Sequence, residues 1–246
     1  MNNVLRPDWP APLHIKAYTT LRTGGVSLAP FDTFNLAEHV SDDEKRVQAN
    51  RQLLKNTLGL PTDPIWLEQI HSPIALPAIP ENKGKKADAA YTTLPQHICA
   101  VMTADCLPIL LCNRDGTHVA AIHAGWRGLL HGVIENTLAA MNVPAENMLA
   151  WLGPAISANV YEVGDEVRQL FLDDNPDTHV AFLPSRNDQR FLADLYALAK
   201  MRLQRQGIVH IYGGQYCTYS QNELFFSYRR DGNKTGRMAS LIYIDR

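Results

Sequence analysis

Short apolar runs bounded by polar residues recur along the chain and predict buried β-strands. The clearest runs are at 65–70, 98–103, 107–112 and 119–123. Similar patterns at 14–21, 148–152, 209–212 and 238–244 extend the series. Their lengths are those of strands rather than helices.

Helical patterns separate these strands. Ser41 and Glu44 have the spacing of a capping box, which predicts a helix from there to about residue 58. Further helices are predicted at 129–141, 165–172 and 191–206. Strands and helices follow one another without regular βαβ alternation, which favours the α+β class.

Composition limits the classes of protein that the chain can be. With 246 residues, 46% of them hydrophobic, the chain can bury a large core, and its prolines and glycines are too scattered to mark a linker. We therefore expect one domain over residues 1–246. The balance of 23 basic and 25 acidic residues gives a formal net charge of −2, which argues against nucleic-acid or anionic-membrane binding.

The sequence shows no signal for export or membrane insertion. Its N-terminus, MNNVLRPDWPAP, has Arg6, Asp8 and three prolines where a signal peptide needs an apolar segment. No apolar run is long enough to span a bilayer. The cysteines at 99, 106, 112 and 217 form no CxxC pair. We therefore expect a cytoplasmic protein with reduced thiols.

Three residues in distinctive local sequences are candidate metal ligands: His71 in WLEQIH, Cys106 in TADCLPILL and His123 in HAGWRG. One thiolate and two imidazoles suit Zn²⁺, and three protein ligands leave a coordination position open, as in catalytic zinc sites. Each residue alone is more often structural, and their wide spacing means that the fold must bring them together. Asp105 interrupts an apolar stretch, where a charge is costly unless it belongs to a site.

Eight motifs follow one another from about Thr19 to Arg237. They are TLRTGGVS (20–27), WLEQIH (66–71), KADAAYT (86–92), VMTADCLPIL (101–110), HAGWRG (123–128), WLGPAI (151–156), YEVG (161–164) and FFSYRRDGNKTGR (225–237). Together they resemble the YfiH family, also called laccase-domain or polyphenol oxidase proteins, which are relatives of the animal enzyme FAMIN. Every motif is intact.

The resemblance implies purine nucleoside chemistry at a zinc site. The implied reactions are phosphorolysis of adenosine, inosine, guanosine and S-methyl-5′-thioadenosine, and deamination of adenosine. The implied small-molecule partners are a nucleoside and phosphate. His71, Cys106 and His123 fall on the family's metal positions. The implied fold is a mixed β-sandwich core flanked by helices, and we expect a monomer or a weak homo-oligomer.

Further residues are candidates for the same site. Arg127 precedes the predicted helix at 129, where free backbone N–H groups and the helix dipole favour phosphate. Arg22 precedes a Gly-Gly turn whose amides can approach an anion closely. Arg229 has aromatic neighbours that could stack on a purine, and Asn35 lies in a segment resembling a family motif near the active site. Asp105 could orient a ligand or transfer a proton. For an average arginine the alternative is a surface salt bridge.

Other chemistries stay open. Cys106 and His123 also resemble the nucleophile and base of cysteine hydrolases, in which a thiolate activated by an imidazole attacks an amide. The family has been linked to editing of peptidoglycan precursors, which would remove L-serine from UDP-MurNAc-L-Ser. A non-catalytic metal-binding protein is a further alternative.

The laccase name predicts copper, which the histidine pattern does not favour. A multicopper oxidase needs a blue-copper centre and a separate histidine-rich cluster. The nine histidines of this chain contain no His-x-His pair. Cu²⁺ could still occupy the site adventitiously, because it outranks Zn²⁺ in affinity for most ligand sets.

Overall fold

The computed structural model describes residues 4–245, which form three β-sheets and six α-helices joined by loops and short 3₁₀ turns. The strands are β1 (Val4–Leu5), β2 (Ile15–Thr20), β3 (Ala75–Pro77), β4 (Ala89–Thr92), β5 (Cys99–Thr103), β6 (Leu107–Asn113), β7 (Val119–Ala124), β8 (Met148–Leu152), β9 (Glu162–Gly164), β10 (Phe182–Pro184), β11 (Arg190–Ala193), β12 (His210–Gly213) and β13 (Met238–Ile244). The helices are α1 (Glu44–Leu58), α2 (Trp126–Leu130), α3 (Val133–Met141), α4 (Asp165–Asp174), α5 (Leu195–Arg205) and α6 (Tyr228–Asp231).

Two of the sheets pack face to face. One is antiparallel with the order β1-β2-β13-β5, and the other is mixed with the order β12-β8-β6-β7-β4-β3. Their shared core contains Val101 and Ile242 from the first sheet and Leu110 and Trp151 from the second. Strand β6 is buried on both faces, which is why its sequence is a continuous apolar run rather than an alternating one.

Helices cover both outer faces of this sandwich. On the six-stranded sheet, Ile109 and Leu111 of β6 share a core with Leu138 of α3 and Leu198 of α5. On the four-stranded sheet, the outer face packs against Leu54 of α1. The predicted α+β class, with a mixed β-sandwich core flanked by helices, is confirmed. A small third sheet is antiparallel and has the strand order β10-β11-β9.

The start of α1 differs from the prediction. The helix is capped by Asp43, whose side chain accepts a hydrogen bond from the Arg46 N–H, and it ends at Gly59 in the left-handed conformation. Ser41 has a φ of 66° and lies before the helix. The capping box predicted at Ser41 is therefore wrong, because the nearer carboxylate satisfies the first free N–H groups.

Two predicted helices and one predicted strand also need correction. The helix at 129–141 is really α2 and α3, separated at Gly132, which has a φ of 83°. The helix predicted from 191 begins only after Asp194, whose side chain caps α5, because the preceding residues pair as β11. The segment 65–70 is a loop with isolated bridges at Ile65 and Glu68.

No helix within residues 4–245 combines the length and the apolar character needed to cross a bilayer.

Candidate metal centre and its cavity

The three predicted metal ligands meet at one end of the central strands β6 and β7 of the six-stranded sheet. The pairing of β6 with β7 sets Leu107 opposite Ala124, so Cys106 lies beside the end of β7 where His123 stands. His71 reaches the same place from the loop after residue 65, with a φ of 61°. The candidate ligand atoms of the three residues all lie within 4.8 Å of one another, and Cys106 Sγ is 3.8 Å from His71 Nε2.

Asp88, just before β4, holds both histidines in place. The side chain is fully buried, and its Oδ1 accepts hydrogen bonds from His123 Nδ1 at 2.8 Å and from the His71 N–H at 2.9 Å. Its Oδ2 accepts from the Ser72 hydroxyl at 2.7 Å. Because Nδ1 of His123 donates to Asp88, Nε2 of that ring is the nitrogen free to bind a metal.

The sequence did not identify Asp88, although it lies in the KADAAYT motif. The available signal was a carboxylate next to a run of small apolar residues that becomes a buried strand. Burial by itself would raise the pKa of Asp88, but hydrogen bonds from His123 and Ser72 lower it to about 2. The carboxylate is therefore charged at every physiological pH.

The surroundings of Cys106 favour its thiolate. Burial opposes ionisation, but the imidazoles of His123 and His71 more than offset it and lower the pKa of Cys106 to about 6. For His123, burial opposes the charged form, while Cys106 and Asp88 raise its pKa to about 9. Cys112, buried among apolar residues, has its pKa raised to about 12. Only a thiolate is a strong metal ligand, so the chain prepares Cys106 for that role.

Gly125, after His123, lets two ligands approach the backbone. A Cβ atom there would lie 3.0 Å from Cys106 Sγ and 3.0 Å from His71 Cδ2. These contacts are tighter than a side chain normally makes, so the HAGWRG motif needs glycine at this position for a steric reason.

One thiolate and two imidazoles are a donor set that suits zinc. Tetrahedral zinc with typical bond lengths separates its sulfur and nitrogen ligands by about 3.6 Å, close to the 3.8 Å between Cys106 Sγ and His71 Nε2. The carboxylate–histidine contact of Asp88 and His123 is the usual outer support of such a ligand. Within residues 4–245 this is the one group of three or more His, Cys, Asp or Glu arranged to hold a metal, so a separate copper cluster has no counterpart there.

The candidate metal ligands lie at the wall of a cavity of about 510 Å³. Aromatic and cationic side chains form much of the remaining wall, together with Gln69 and His39. The cavity-lining aromatic and cationic residues are Trp126, Tyr161, Tyr228, Arg127, Arg229 and Arg237. A cavity of this size accommodates a ligand as large as a nucleoside.

Arg127 and Arg229 line the cavity, as does Asp105. The sequence predicted that Arg127 precedes a helix, but the residue lies inside the first turn of α2. Its guanidinium is 4.3 Å from the centre of the Trp126 ring. Arg229 lies over the ring of Tyr161 and donates to a main-chain carbonyl at 3.0 Å.

Asp105 connects the metal centre to two other segments. Its Oδ1 accepts from the Thr218 hydroxyl and its Oδ2 from the Arg229 N–H, both at 2.6 Å. The residue is buried and has a φ of 94°. Both carboxylate oxygens thus hold α6 and the 218 loop against the segment that carries Cys106.

Arg22 and Asn35 do not line the cavity. Arg22 contacts Asp32 at 3.4 Å and lies over the ring of Phe226. Asn35 is fully buried, and its Oδ1 accepts a hydrogen bond from the Arg237 N–H at 3.0 Å. The structure therefore brings Asn35 behind the cavity wall rather than into the cavity.

Sequence reasoning also missed Gln69 and Arg237. Gln69 makes two hydrogen bonds of 2.7 Å to the main chain of Met102, which fix the loop leading to His71. Its signal is a polar residue between apolar ones in the WLEQIH motif, two positions before the candidate ligand His71. Arg237 ends the last motif, where no local pattern distinguished it from a surface arginine.

Comparisons with known proteins identify the family of this chain and show the same fold. Residues 16–245 match the family model described as multi-copper polyphenol oxidoreductase laccase. The purine nucleoside phosphorylase YfiH of Escherichia coli is 48% identical over 245 residues, covering 99% of this chain and 100% of that protein. The purine nucleoside phosphorylase of Haemophilus influenzae is 46% identical over 242 residues, covering 98% and 99%.

Solved structures show the same architecture. A DUF152 protein from Neisseria meningitidis superposes with a TM-score of 0.95 at 49% identity, over 100% of both chains. YlmD from Geobacillus stearothermophilus gives 0.93 at 27% identity, over 100% of this chain and 97% of that one. The chain therefore belongs to the YfiH family of laccase-domain proteins.

Proposed function

We propose that this protein is a zinc-dependent purine nucleoside phosphorylase. It converts adenosine, inosine, guanosine and S-methyl-5′-thioadenosine to the free base and ribose or methylthioribose 1-phosphate, and it also deaminates adenosine. The observation that carries the proposal is the cluster of His71, Cys106 and His123 at the wall of the cavity. Relatives called purine nucleoside phosphorylase, similar over nearly the whole chain, support the reaction.

The residues around the cavity have separate tasks. His71, Cys106 and His123 would hold zinc, which when bound supplies a Lewis acid that polarises an oxygen or a purine substituent. Asp88 keeps the metal-binding nitrogen of His123 directed at the centre. Gln69 fixes the loop of His71.

The cationic and aromatic wall binds the substrates. Arg127 and Arg229 attract phosphate and stabilise the negative charge that shifts between phosphate and departing base in the transition state. Trp126 and Tyr161 offer ring faces to the purine and exclude water. Asn35 acts indirectly, by fixing the backbone of Arg237. The position of Arg22, against Asp32, supports a structural role rather than phosphate binding.

Product analysis tests the reaction. Zinc-loaded protein is incubated with inosine or adenosine, with and without phosphate, and the products are separated chromatographically. We expect hypoxanthine or adenine plus ribose 1-phosphate only with phosphate, and inosine from adenosine without it. Absence of turnover in a fully loaded sample would contradict the proposal.

Metal content tests the site itself. We expect about one Zn²⁺ per chain in the wild type and a large loss in Cys106→Ala, measured by elemental analysis. Full zinc retention by that variant would contradict the ligand set.

A cysteine hydrolase is the second candidate, and one observation favours it. Cys106, His123 and Asp88 are arranged as nucleophile, base and orienting carboxylate, with the pKa of Cys106 lowered to about 6. In this reaction the thiolate attacks the amide carbonyl of UDP-MurNAc-L-Ser, and the serine amine leaves with the proton held by His123. Water, deprotonated by His123, then hydrolyses the resulting thioester to the carboxylate and regenerates the Cys106 thiolate.

His71 separates the two mechanisms. In the zinc mechanism His71→Ala removes metal and activity together. In the thiolate mechanism His71, 3.8 Å from Cys106 Sγ, only helps to lower the pKa of the thiol, so His71→Ala weakens the activity without abolishing it. Chelated protein then keeps its activity, while rapid alkylation of Cys106 stops it. Release of L-serine by chelated protein, without nucleoside turnover, would establish the hydrolase and reject the phosphorylase.

Three broader expectations accompany this function. We propose a single domain over residues 1–246, a monomer or weak homo-oligomer, and a cytoplasmic setting, which the four unpaired cysteines support. Copper binding at the same three ligands would be adventitious.

A further inference from the structure

One side of the cavity is cationic, and its arginines form no direct ion pair with a carboxylate of the described residues. Arg127, Arg229 and Arg237 line it, and within residues 4–245 no carboxylate oxygen lies within 4.0 Å of any of the three guanidinium groups. Asp105, the carboxylate in the cavity wall, already accepts from Thr218 and from a main-chain N–H. Such an excess of positive charge favours an anionic ligand.

Hydrogen bonds to the main chain hold one side of the Arg237 guanidinium. Its Nη1 donates to the carbonyls of Thr235 at 2.8 Å and Gly236 at 3.0 Å, and its N–H donates to Asn35 Oδ1. No described residue accepts a hydrogen bond from its Nε or Nη2. The guanidinium is therefore fixed at one edge, and its other edge is available for a ligand.

Arg237 lines the same cavity as the three candidate metal ligands. The side chain is half-buried, whereas Arg127 and Arg229 are exposed. Burial lowers the pKa of Arg237, and the nearby negative charges of Cys106 and Asp105 oppose that shift. A half-buried cation without an ion-pair partner is costly, and an anion bound beside the metal would offset that cost.

We propose that Arg237 binds inorganic phosphate in the cavity through its Nε and Nη2, with Arg127 and Arg229 completing the site from the rim. This rests on the proposed phosphorolysis, in which phosphate is the second substrate. Nε and Nη2 of a guanidinium form a planar fork that matches two oxygens of one phosphate, which an ammonium group cannot reproduce. Arg237 is then the residue that aligns phosphate for attack at the ribose carbon.

The test compares Arg237→Met and Arg237→Lys with the matched control Lys234→Met, an exposed position in the same segment. Binding of inorganic phosphate to zinc-loaded full-length protein is measured by calorimetry, with and without inosine, and the KM values for phosphate and inosine are measured separately. We expect Arg237→Met to weaken phosphate binding at least about tenfold, since one charged hydrogen bond contributes that much. Its KM for inosine and its zinc content should stay near the wild-type values.

Arg237→Lys keeps the charge and should recover only part of the affinity. If Arg237→Met loses zinc, the phosphate affinity of Arg237→Lys is the result that tests the proposal. Unchanged phosphate affinity in both variants would overturn the proposal, and so would equal loss of phosphate and inosine binding. A wild type that binds no phosphate under either condition also overturns it.

The binding measurement separates this inference from the proposed function. A wild type that binds phosphate in an Arg237-dependent way but shows no phosphorolysis would reject the reaction and leave the anion site standing.

Discussion

Replacing Asp88 with asparagine tests the support of the metal centre most directly. The carboxylate accepts five hydrogen bonds and is fully buried. Its Oδ1 accepts from His71 N and His123 Nδ1, and its Oδ2 from the Ile70 N–H and from both the N–H and the hydroxyl of Ser72. Asparagine has the same shape but carries an NH₂ group in place of one oxygen.

Either orientation of the new amide sets its NH₂ against at least two N–H donors. Each buried donor without an acceptor costs about 1–3 kcal/mol, so we expect a loss of about 2–6 kcal/mol in the free energy of unfolding. Loss of the carboxylate behind a zinc histidine typically weakens metal binding about 10–100-fold. That factor corresponds to about 1.4–2.8 kcal/mol.

The pH dependence follows from the depressed pKa of Asp88. Its charged form is favoured in the folded state, so its contribution is complete above the ordinary carboxyl pKa of about 4 and is lost as the pH falls toward the folded value of about 2. The stability difference between wild type and Asp88→Asn should therefore narrow between pH 4 and pH 2.

Two measurements check this prediction. Urea unfolding of chelator-treated protein gives the free energy of unfolding, and competition with a chromophoric chelator gives the zinc affinity. Asp188→Asn is the matched control, because that carboxyl is exposed. If Asp88→Asn matched this control in both stability and zinc affinity, the reasoning about the buried carboxylate would be refuted.

Three further predictions concern single positions. Gly125→Ala should weaken zinc binding, because its Cβ would press on Cys106 Sγ. The control Gly128→Ala, whose Cβ has no contact shorter than 3.4 Å, should bind zinc as the wild type does. Chelator competition measures both affinities, and equal values for the two variants would contradict the prediction. Alkylation of Cys106 by iodoacetamide in chelator-treated protein should rise through pH 6 as the thiolate forms, while Cys112 stays unreactive to much higher pH. Asp194→Ala removes the N-cap of α5 and should cost about 1 kcal/mol in thermal or urea unfolding.

Local patterns were enough to locate most of the sandwich. The apolar runs that became β5, β6, β7, β8 and β13 are long and buried on both faces, so their sequences carry a clear signal. Shorter strands such as β4 and β11 have no such signal, because they form only when a neighbouring strand supplies hydrogen-bond partners.

The boundaries of the helices depended on details that patterns do not show. Asp43 rather than Ser41 caps α1, and Gly132 divides one predicted helix into two. At the start of α1, several polar residues could accept hydrogen bonds from the free backbone N–H groups of the first turn, and the packing of the folded chain selects Asp43.

The sequence by itself determined the types of ligand and the motifs that carry them: one thiol in TADCLPILL and two imidazoles in WLEQIH and HAGWRG. Only the tertiary structure decided that His71, Cys106 and His123 share one centre, that Asp88 holds two of them, and that Arg237 faces the cavity while Arg22 does not. The physical reason is distance along the chain. Periodicity and capping depend on neighbours within a few residues, whereas these contacts depend on strand register and on loops that cross the end of the sheet.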